Sequence, residues 1–242
     1  MCTIPFVSFD QNLISLGLVW YVAFLFSLTV HEAAHALAAL RLGDPTAYQG
    51  GQVSLNPLPH IRREPFGTVV VPLLSFAFAG WMMGWASAPY DPAWAERHPR
   101  RAAWMALAGP GSNLLLVLLA GLGIRVGMVV GALQAPDSLG FATVVEATAA
   151  GPAEGVATFL SILFTLNLLL CLFNLIPLPP LDGSAALALV LSPSAASQWK
   201  TFMRQPMMSM VGLIIAWRLL GYLFSPTFLL AIRALYPELR FG

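Results

Sequence analysis

Four apolar stretches, at positions 13–42, 102–130, 156–176 and 207–235, constrain this chain more than any other feature. About 20 apolar residues let a helix cross a bilayer, and each stretch reaches that length. A soluble fold would have to bury all four, and the remainder cannot cover them. Only 10% of residues are charged, against about 25% in soluble domains, while 58% are hydrophobic. The sequence therefore predicts an all-α polytopic membrane protein, with residues 1–242 forming one integral-membrane domain. A net charge of +1 argues against nucleic-acid binding. Cys2 is terminal and Cys171 lies in an apolar segment, which argues against a disulfide framework. No Lys or Arg precedes the first apolar run and no small-residue cleavage site ends it, so that helix is expected to be retained.

Gly43-Asp44-Pro45 reads as the stop of the first helix. Residues 46–65 are mixed, and "GGQVSL" within them could form a short strand. Residues 66–84 are apolar but interrupted by Pro72. Pro177, Pro179 and Pro180 should end the third long helix, because the residue before a proline is pushed out of helical geometry. A short helix is expected from there to about 200, and the last block should break near Ser225-Pro226.

Charge gives an orientation. The 131–155 loop and the N-terminal tail carry no Lys or Arg. Arg41, Arg62, Arg63, Arg97, Arg100, Arg101, Lys200 and Arg204 fall in the other connections. Those connections are then expected in the cytoplasm, with the loop and N-terminus outside. Both flanks of 66–84 are basic, so a re-entrant or broken segment is expected there. Arg218, Arg233 and Arg240 leave the side of the C-terminal block open.

Within this apolar frame, "LTVHEAAHALAAL" at 28–40 places two histidines and a glutamate on the first helix. Of the acidic residues, only Glu32 and Asp182 lie outside tails and connections. An ionised Asp at bilayer depth costs about 2.5–3.5 kcal/mol on insertion scales, which marks such groups as functional candidates. His31 and His35 are one helical turn apart and about 40° apart in azimuth, so their imidazoles face the same way. Two such imidazoles can hold two corners of a tetrahedral Zn²⁺ site, with Glu32 about 100° round as a general base rather than a ligand. A pair of hydrogen-bonded packing histidines is the plainer alternative, and desolvation weighs against it in a membrane helix. The third ligand would be Asp182, brought to membrane depth by proline-broken backbone and the turn-permitting Gly183. Asp182 could equally cap the helix that follows it.

"HEAAH" at 31–35 together with "NLIPLPPLDG" at 174–183 resembles the site-2 protease family of zinc intramembrane metalloproteases. Asn174, Pro177, Asp182 and Gly183 match the family's second signature. "AGPGSN" at 108–113 resembles the start of its middle core helix, and "LNPLPHI" with "PFGTVVVPLL" looks like the short prokaryotic branch without PDZ or CBS domains. The resemblance spans roughly 28–190. It implies a three-helix catalytic core of about 13–42, 102–130 and 156–180, one Zn²⁺ per chain on His31, His35 and Asp182, and Glu32 as catalytic base. For Asn174 it implies a role in holding substrate or the oxyanion, against the plainer role of an interhelical hydrogen bond. It further implies transmembrane protein substrates cut near the cytoplasmic side of a prokaryotic inner membrane. With no PDZ-like or nucleotide-sensing module evident, a regulator would act in trans.

Two other classes fit parts of the pattern. A metal transporter could use His31, His35 and Asp182 as a transit site without needing Glu32, and a binding protein could keep the zinc fold without catalysis. His60 and His98 read as polar surface residues, and His60 departs from a branch that often has an acid where Arg62 follows His60-Ile61. Met203, Met207, Met208 and Met210 read as packing residues near a helix start. Gly109 and Gly111 read as sites of close helix approach, since no phosphate-loop Lys follows. Ser112 has no triad context.

Overall fold

The computed structural model describes residues 11–203 and 205–238. Cys2, Arg204 and Arg240 lie outside the described residues. Four long helices dominate: α1 (Gln11–Leu42), α6 (Pro99–Val129), α7 (Pro152–Leu175) and α10 (Pro206–Leu235). Each is long and apolar enough to cross a membrane. Between them lie the short helices α2 (Thr46–Gln49), α3 (Leu58–Arg63), α4 (Val71–Ala79), α5 (Pro92–Arg97), α8 (Asp182–Ala186) and α9 (Pro193–Met203). The chain is thus an all-α polytopic membrane protein, as its apolar blocks require.

α1, α6 and α7 pack mutually. Lipid tails are as apolar as leucine, so close approach through small residues and buried hydrogen bonds must hold such a bundle together. Ala23, Ala36 and Ala39 of α1 and Ala103 and Ala106 of α6 are all buried. α10 joins through Ile232 and Leu235, which pack with Ile124 and Phe164 of α6 and α7. Its outer face is exposed along most of its length. Met207 and Met210 belong to that face, at 73% and 70% exposure, so they are not packing residues within the fold.

The ends of the helices define two ends of the bundle. At one, Arg101 Nη1 donates to the terminal carbonyl of α1 at Leu42, 3.2 Å away, tying the close of α1 to the opening of α6. Gly43, at φ 104°, lets the chain leave α1 there. At the other, Arg125 Nη1 donates to Leu235 O at 3.2 Å, so α6 and α10 finish side by side. The C-terminal block, whose side the charges left open, therefore ends beside the 131–155 loop.

Residues 66–85 turn back on themselves. A π-helical turn (Phe66–Val70) runs into α4, Gly80 reverses the chain in left-handed geometry, and residues 81–90 return without helix. Trp85 N donates to Gly67 O at 3.1 Å, so the chain leaves beside its own starting point. Fourteen helical residues rise only about 21 Å, short of the roughly 30 Å hydrocarbon core. This is the geometry of a re-entrant hairpin. Pro72 sits in the first turn of α4, where its missing N–H costs nothing. At the hairpin tip Trp81 stacks on Trp217 of α10 with centroids 6.0 Å apart, and Phe141 of the far loop stacks on Trp20 of α1 at 5.2 Å.

Several expected boundaries are corrected. The third core helix ends at Leu175, not near 180, because the three prolines unwind the chain immediately after it. The last block does not break at Ser225-Pro226; α10 runs through Pro226, as α6 runs through Pro110. Membrane helices tolerate internal proline because local adjustments and neighbouring groups satisfy the freed carbonyl. "GGQVSL" forms turns and bends with no ladder partner among the described residues, and Gly51 takes φ 72°. The 131–155 loop instead holds a two-residue hairpin, β1 (Leu133–Gln134) against β2 (Glu146–Ala147). The segment to 200 is two helices, α8 and α9, joined through a 3₁₀ turn at Leu187–Leu189.

Candidate metal centre

His31 and His35 stand one turn apart on the inner face of α1, at 6% and 8% exposure. Asp182 reaches them from α8, which begins where the proline segment turns back under the bundle. That return depends on Gly183: a Cβ there would strike the carbonyl oxygens of Leu175 and Ile176. α10 supports the segment from outside, with Gly212 so close that a Cβ would strike Pro179 O. Ile176 and Leu181 close the contact against Ala216 and Leu220. Asp182 is the first residue of α8, and the N-cap is Leu181 without a side-chain cap bond. Its carboxylate is thus turned to the imidazoles and away from helix capping.

Three ligand atoms converge. Asp182 Oδ2 lies 3.3 Å from His31 Nε2 and 3.4 Å from His35 Nε2, and the two Nε2 atoms are 3.0 Å apart. The far side of each ring is tied back. His35 Nδ1 lies 2.8 Å from Met105 O, a carbonyl that can only accept, so Nδ1 carries the hydrogen. His31 Nδ1 lies 2.6 Å from Asn113 Oδ1 and likewise donates. Both Nε2 atoms then present lone pairs to a buried carboxylate oxygen that receives no hydrogen bond among the described residues. Three lone-pair atoms at this spacing repel one another unless a cation lies among them. Tetrahedral Zn²⁺ with ligands at about 2.0–2.1 Å spaces them about 3.3 Å apart, so the residues fit the ion. Gly109 of α6 completes the cradle, since a Cβ there would fill it, striking His35 Nε2 and His31 Nε2.

Glu32 follows His31 and is 4% exposed. Its carboxylate takes no hydrogen bond among the described residues. Asn174, near the end of α7, is half-buried and donates through Nδ2 to Leu170 O at 3.1 Å on its own helix.

His60 is a correction. It is not a surface residue but 1% exposed, with Nε2 3.3 Å from Ser54 O and Nδ1 without a partner among the described residues. The 46–65 connection coils into α2 and α3 and turns Ala47, Gln52 and His60 inward, instead of lying open to solvent. His60 stands apart from the gathered ligand atoms, and His98 is half-buried at the start of α6. Ser27, Asn113 and Asn167 escaped the sequence reading as site residues. Each is fully buried in an apolar helix, and an unexplained polar residue in such a helix is the signal that could have found them.

A helix-borne His-Glu-x-x-His and an aspartate from a proline-broken segment thus meet inside a bundle of membrane-length helices, where His31, His35 and Asp182 could hold a metal ion. The Peptidase family M50 profile matches residues 19–219, and the chain belongs to that family. It is 34% identical over 163 residues to "Putative zinc metalloprotease YwhC" of Bacillus subtilis, a match covering 67% of this chain and 64% of that protein. It is 32% identical over 182 residues to "Putative zinc metalloprotease Rip2" of Mycolicibacterium smegmatis, covering 72% of this chain and 60% of the relative. The Mycobacterium tuberculosis H37Rv protein of the same name is 34% identical over 163 residues, covering 67% and 53%. The chain thus spans less than two thirds of the length of these curated relatives. No solved structure matches it.

Proposed function

We propose that this protein is a zinc endopeptidase of the site-2 type, hydrolysing peptide bonds in or near transmembrane segments of membrane proteins. The observation that carries the reading is the trio of lone-pair atoms 3.0–3.4 Å apart beside a buried, unbonded Glu32. His31, His35 and Asp182 would hold one Zn²⁺. The ion when bound supplies Lewis acidity, polarising a carbonyl and bringing a water's pKa to about 7. Glu32 takes the proton of the attacking water and returns it to the departing amine nitrogen. Asn174 has a second amide hydrogen and a carbonyl oxygen beyond its bond to Leu170, and these would hold the substrate backbone or the developing oxyanion.

A helical substrate hides its carbonyls, so it must unwind locally before Glu32 can act, which favours substrates with helix-breaking residues. The basic residues Arg41, Arg62, Arg63, Arg97, Arg100 and Arg101 cluster at the site's end of the bundle, which supports a cytoplasm-facing site in a prokaryotic inner membrane. The chain then acts as one integral-membrane domain around α1, α6 and α7, with any regulator acting in trans. The test is a model transmembrane substrate in proteoliposomes. Chelation should abolish cleavage and equimolar zinc should restore it; cleavage unaffected by complete metal removal would defeat the reading.

A further inference from the structure

We propose that Ser27, Asn167 and Asn113 form a one-way hydrogen-bond relay that sets the tautomer of His31, making Asn167 a positioning residue for a ligand it does not touch. The inference rests on the metal-site reading above. The relay begins at a backbone carbonyl. Ser27 Oγ lies 2.7 Å from Ala23 O, one turn back on α1, and spends its only proton there. Its oxygen can then only accept. Asn167 Nδ2, on α7, lies 2.8 Å from that oxygen and 2.7 Å from Leu163 O, which also can only accept. Two acceptors on one side fix the Asn167 amide, with its –NH₂ toward them and Oδ1 away.

Asn167 Oδ1 faces Asn113 Nδ2 of α6 at 2.8 Å, and that nitrogen must donate. The Asn113 amide is therefore fixed in turn, with Oδ1 toward His31 Nδ1 at 2.6 Å. Nδ1 must then carry the imidazole hydrogen, because an amide oxygen has none to give. A neutral imidazole has one N–H, so Nε2 keeps its lone pair, and Nε2 is the atom that faces Asp182 and His35. Without the relay, Asn113 can rotate and offer –NH₂ to Nδ1. The hydrogen then moves to Nε2 and blocks the ligand position. Ser27, Asn113 and Asn167 are each fully buried, so no bulk water competes for these groups. His35 needs no such relay, because Met105 O fixes its ring directly.

The pairing tests itself through rescue. Asn167→Leu frees Asn113 to rotate. Adding Asn113→Asp removes the ambiguity, since a carboxylate offers an acceptor toward His31 in either orientation. The full chain is purified in detergent, stripped of metal and labelled with ¹⁵N-histidine. Ring ¹⁵N shifts report which nitrogen is protonated, competition with a chromophoric chelator gives Zn²⁺ affinity, and circular dichroism reports the fold. Wild type should show Nδ1–H at His31. Asn167→Leu should show mixed tautomers and lose about 10- to 100-fold in affinity, the usual cost of disturbing a ligand's support. The double variant should recover to within about threefold of wild type. Asn113→Asp alone sets a carboxylate oxygen against Asn167 Oδ1, which the relay holds as an acceptor, and should lose about 10-fold in affinity; wild-type affinity in that variant overturns the relay even where Asn167→Leu does not fold. Unchanged tautomer and affinity in folded Asn167→Leu, or a double variant that folds without recovery, overturns it too. No arm reads cleavage, so failure of the protease reading leaves the tautomer result standing.

Discussion

Gly109 of α6 lies so close beneath His35 and His31 that a Cβ on it would strike the Nε2 atoms of both imidazoles. The glycine is a requirement of the site and not of the helix. Alanine is about 1 kcal/mol better than glycine in a helix interior. Gly109→Ala should therefore keep its helical content and thermal midpoint but lose zinc affinity by about 10- to 100-fold. Chelator competition beside a thermal melt checks this; full zinc affinity in Gly109→Ala would show that the imidazoles do not hold the position described.

The aspartate is placed by α10 as much as by its own segment. Gly212 lets α10 seat against Pro179 O, three residues before Asp182. Gly212→Leu should push α10 off the proline segment and lower zinc affinity, while Gly221→Leu, a glycine in the same helix with open space around it, should leave affinity unchanged. Equal effects at the two positions would mean that α10 does not position Asp182.

Asp44 fastens the end of α1 to the segment leaving the hairpin. Its carboxylate accepts from Thr46 N at 3.0 Å, from Thr46 Oγ1, and from Asp91 N at 2.8 Å. Burial pushes its carboxyl up, but the hydrogen bonds from Thr46 and Asp91 outweigh that and hold it below the usual carboxylate range. A lowered folded-state value means that ionised Asp44 stabilises the fold above its unfolded value of about 3.9, and that the contribution is lost as pH falls through the lowered value. Asp44→Asn turns a donor toward at least one of these N–H groups and should cost about 1–3 kcal/mol near neutral pH. The difference in thermal midpoint should persist down to about pH 4 and shrink below it; a difference that grows on acidification contradicts the assignment.

The hairpin at 66–85 predicts which surfaces share a side. Single cysteines replacing Leu55 and Ala93, both exposed, should react with an impermeant maleimide from the same side of sealed vesicles. One at Ser138, in the far loop, should react from the opposite side. The background should lack Cys2 and Cys171. Opposite labelling of 55 and 93 would make 66–84 a true crossing.

What the sequence revealed and what it hid follow a physical division. His31, Glu32 and His35 share one helix, where four-residue spacing alone fixes their common face. Asp182 was legible because prolines and a glycine mark a broken segment. Basic residues on both flanks made the hairpin legible for the same reason, since they cannot sit in hydrocarbon. The relay was not legible: Ser27, Asn113 and Asn167 lie on three different helices, and only tertiary packing decides that they meet. Asn113 stood in "AGPGSN" yet gave no hint of its partner. His60 misled because a polar connection can coil and bury one face. Pro226 misled because proline's cost in water overstates its cost in a membrane helix.

Glu32 carries the central claim. Glu32→Gln is nearly isosteric and leaves His31, His35 and Asp182 in place, but the amide cannot take a proton. General-base catalysis is typically worth about 10²- to 10⁴-fold, or about 3–5 kcal/mol of barrier. The decisive measurement is the cleavage rate of a model transmembrane substrate by purified Glu32→Gln containing one zinc per chain. A rate reduced by about 10²-fold or more, at wild-type zinc content and thermal stability, is the predicted result; cleavage at the wild-type rate with zinc retained would contradict the mechanism.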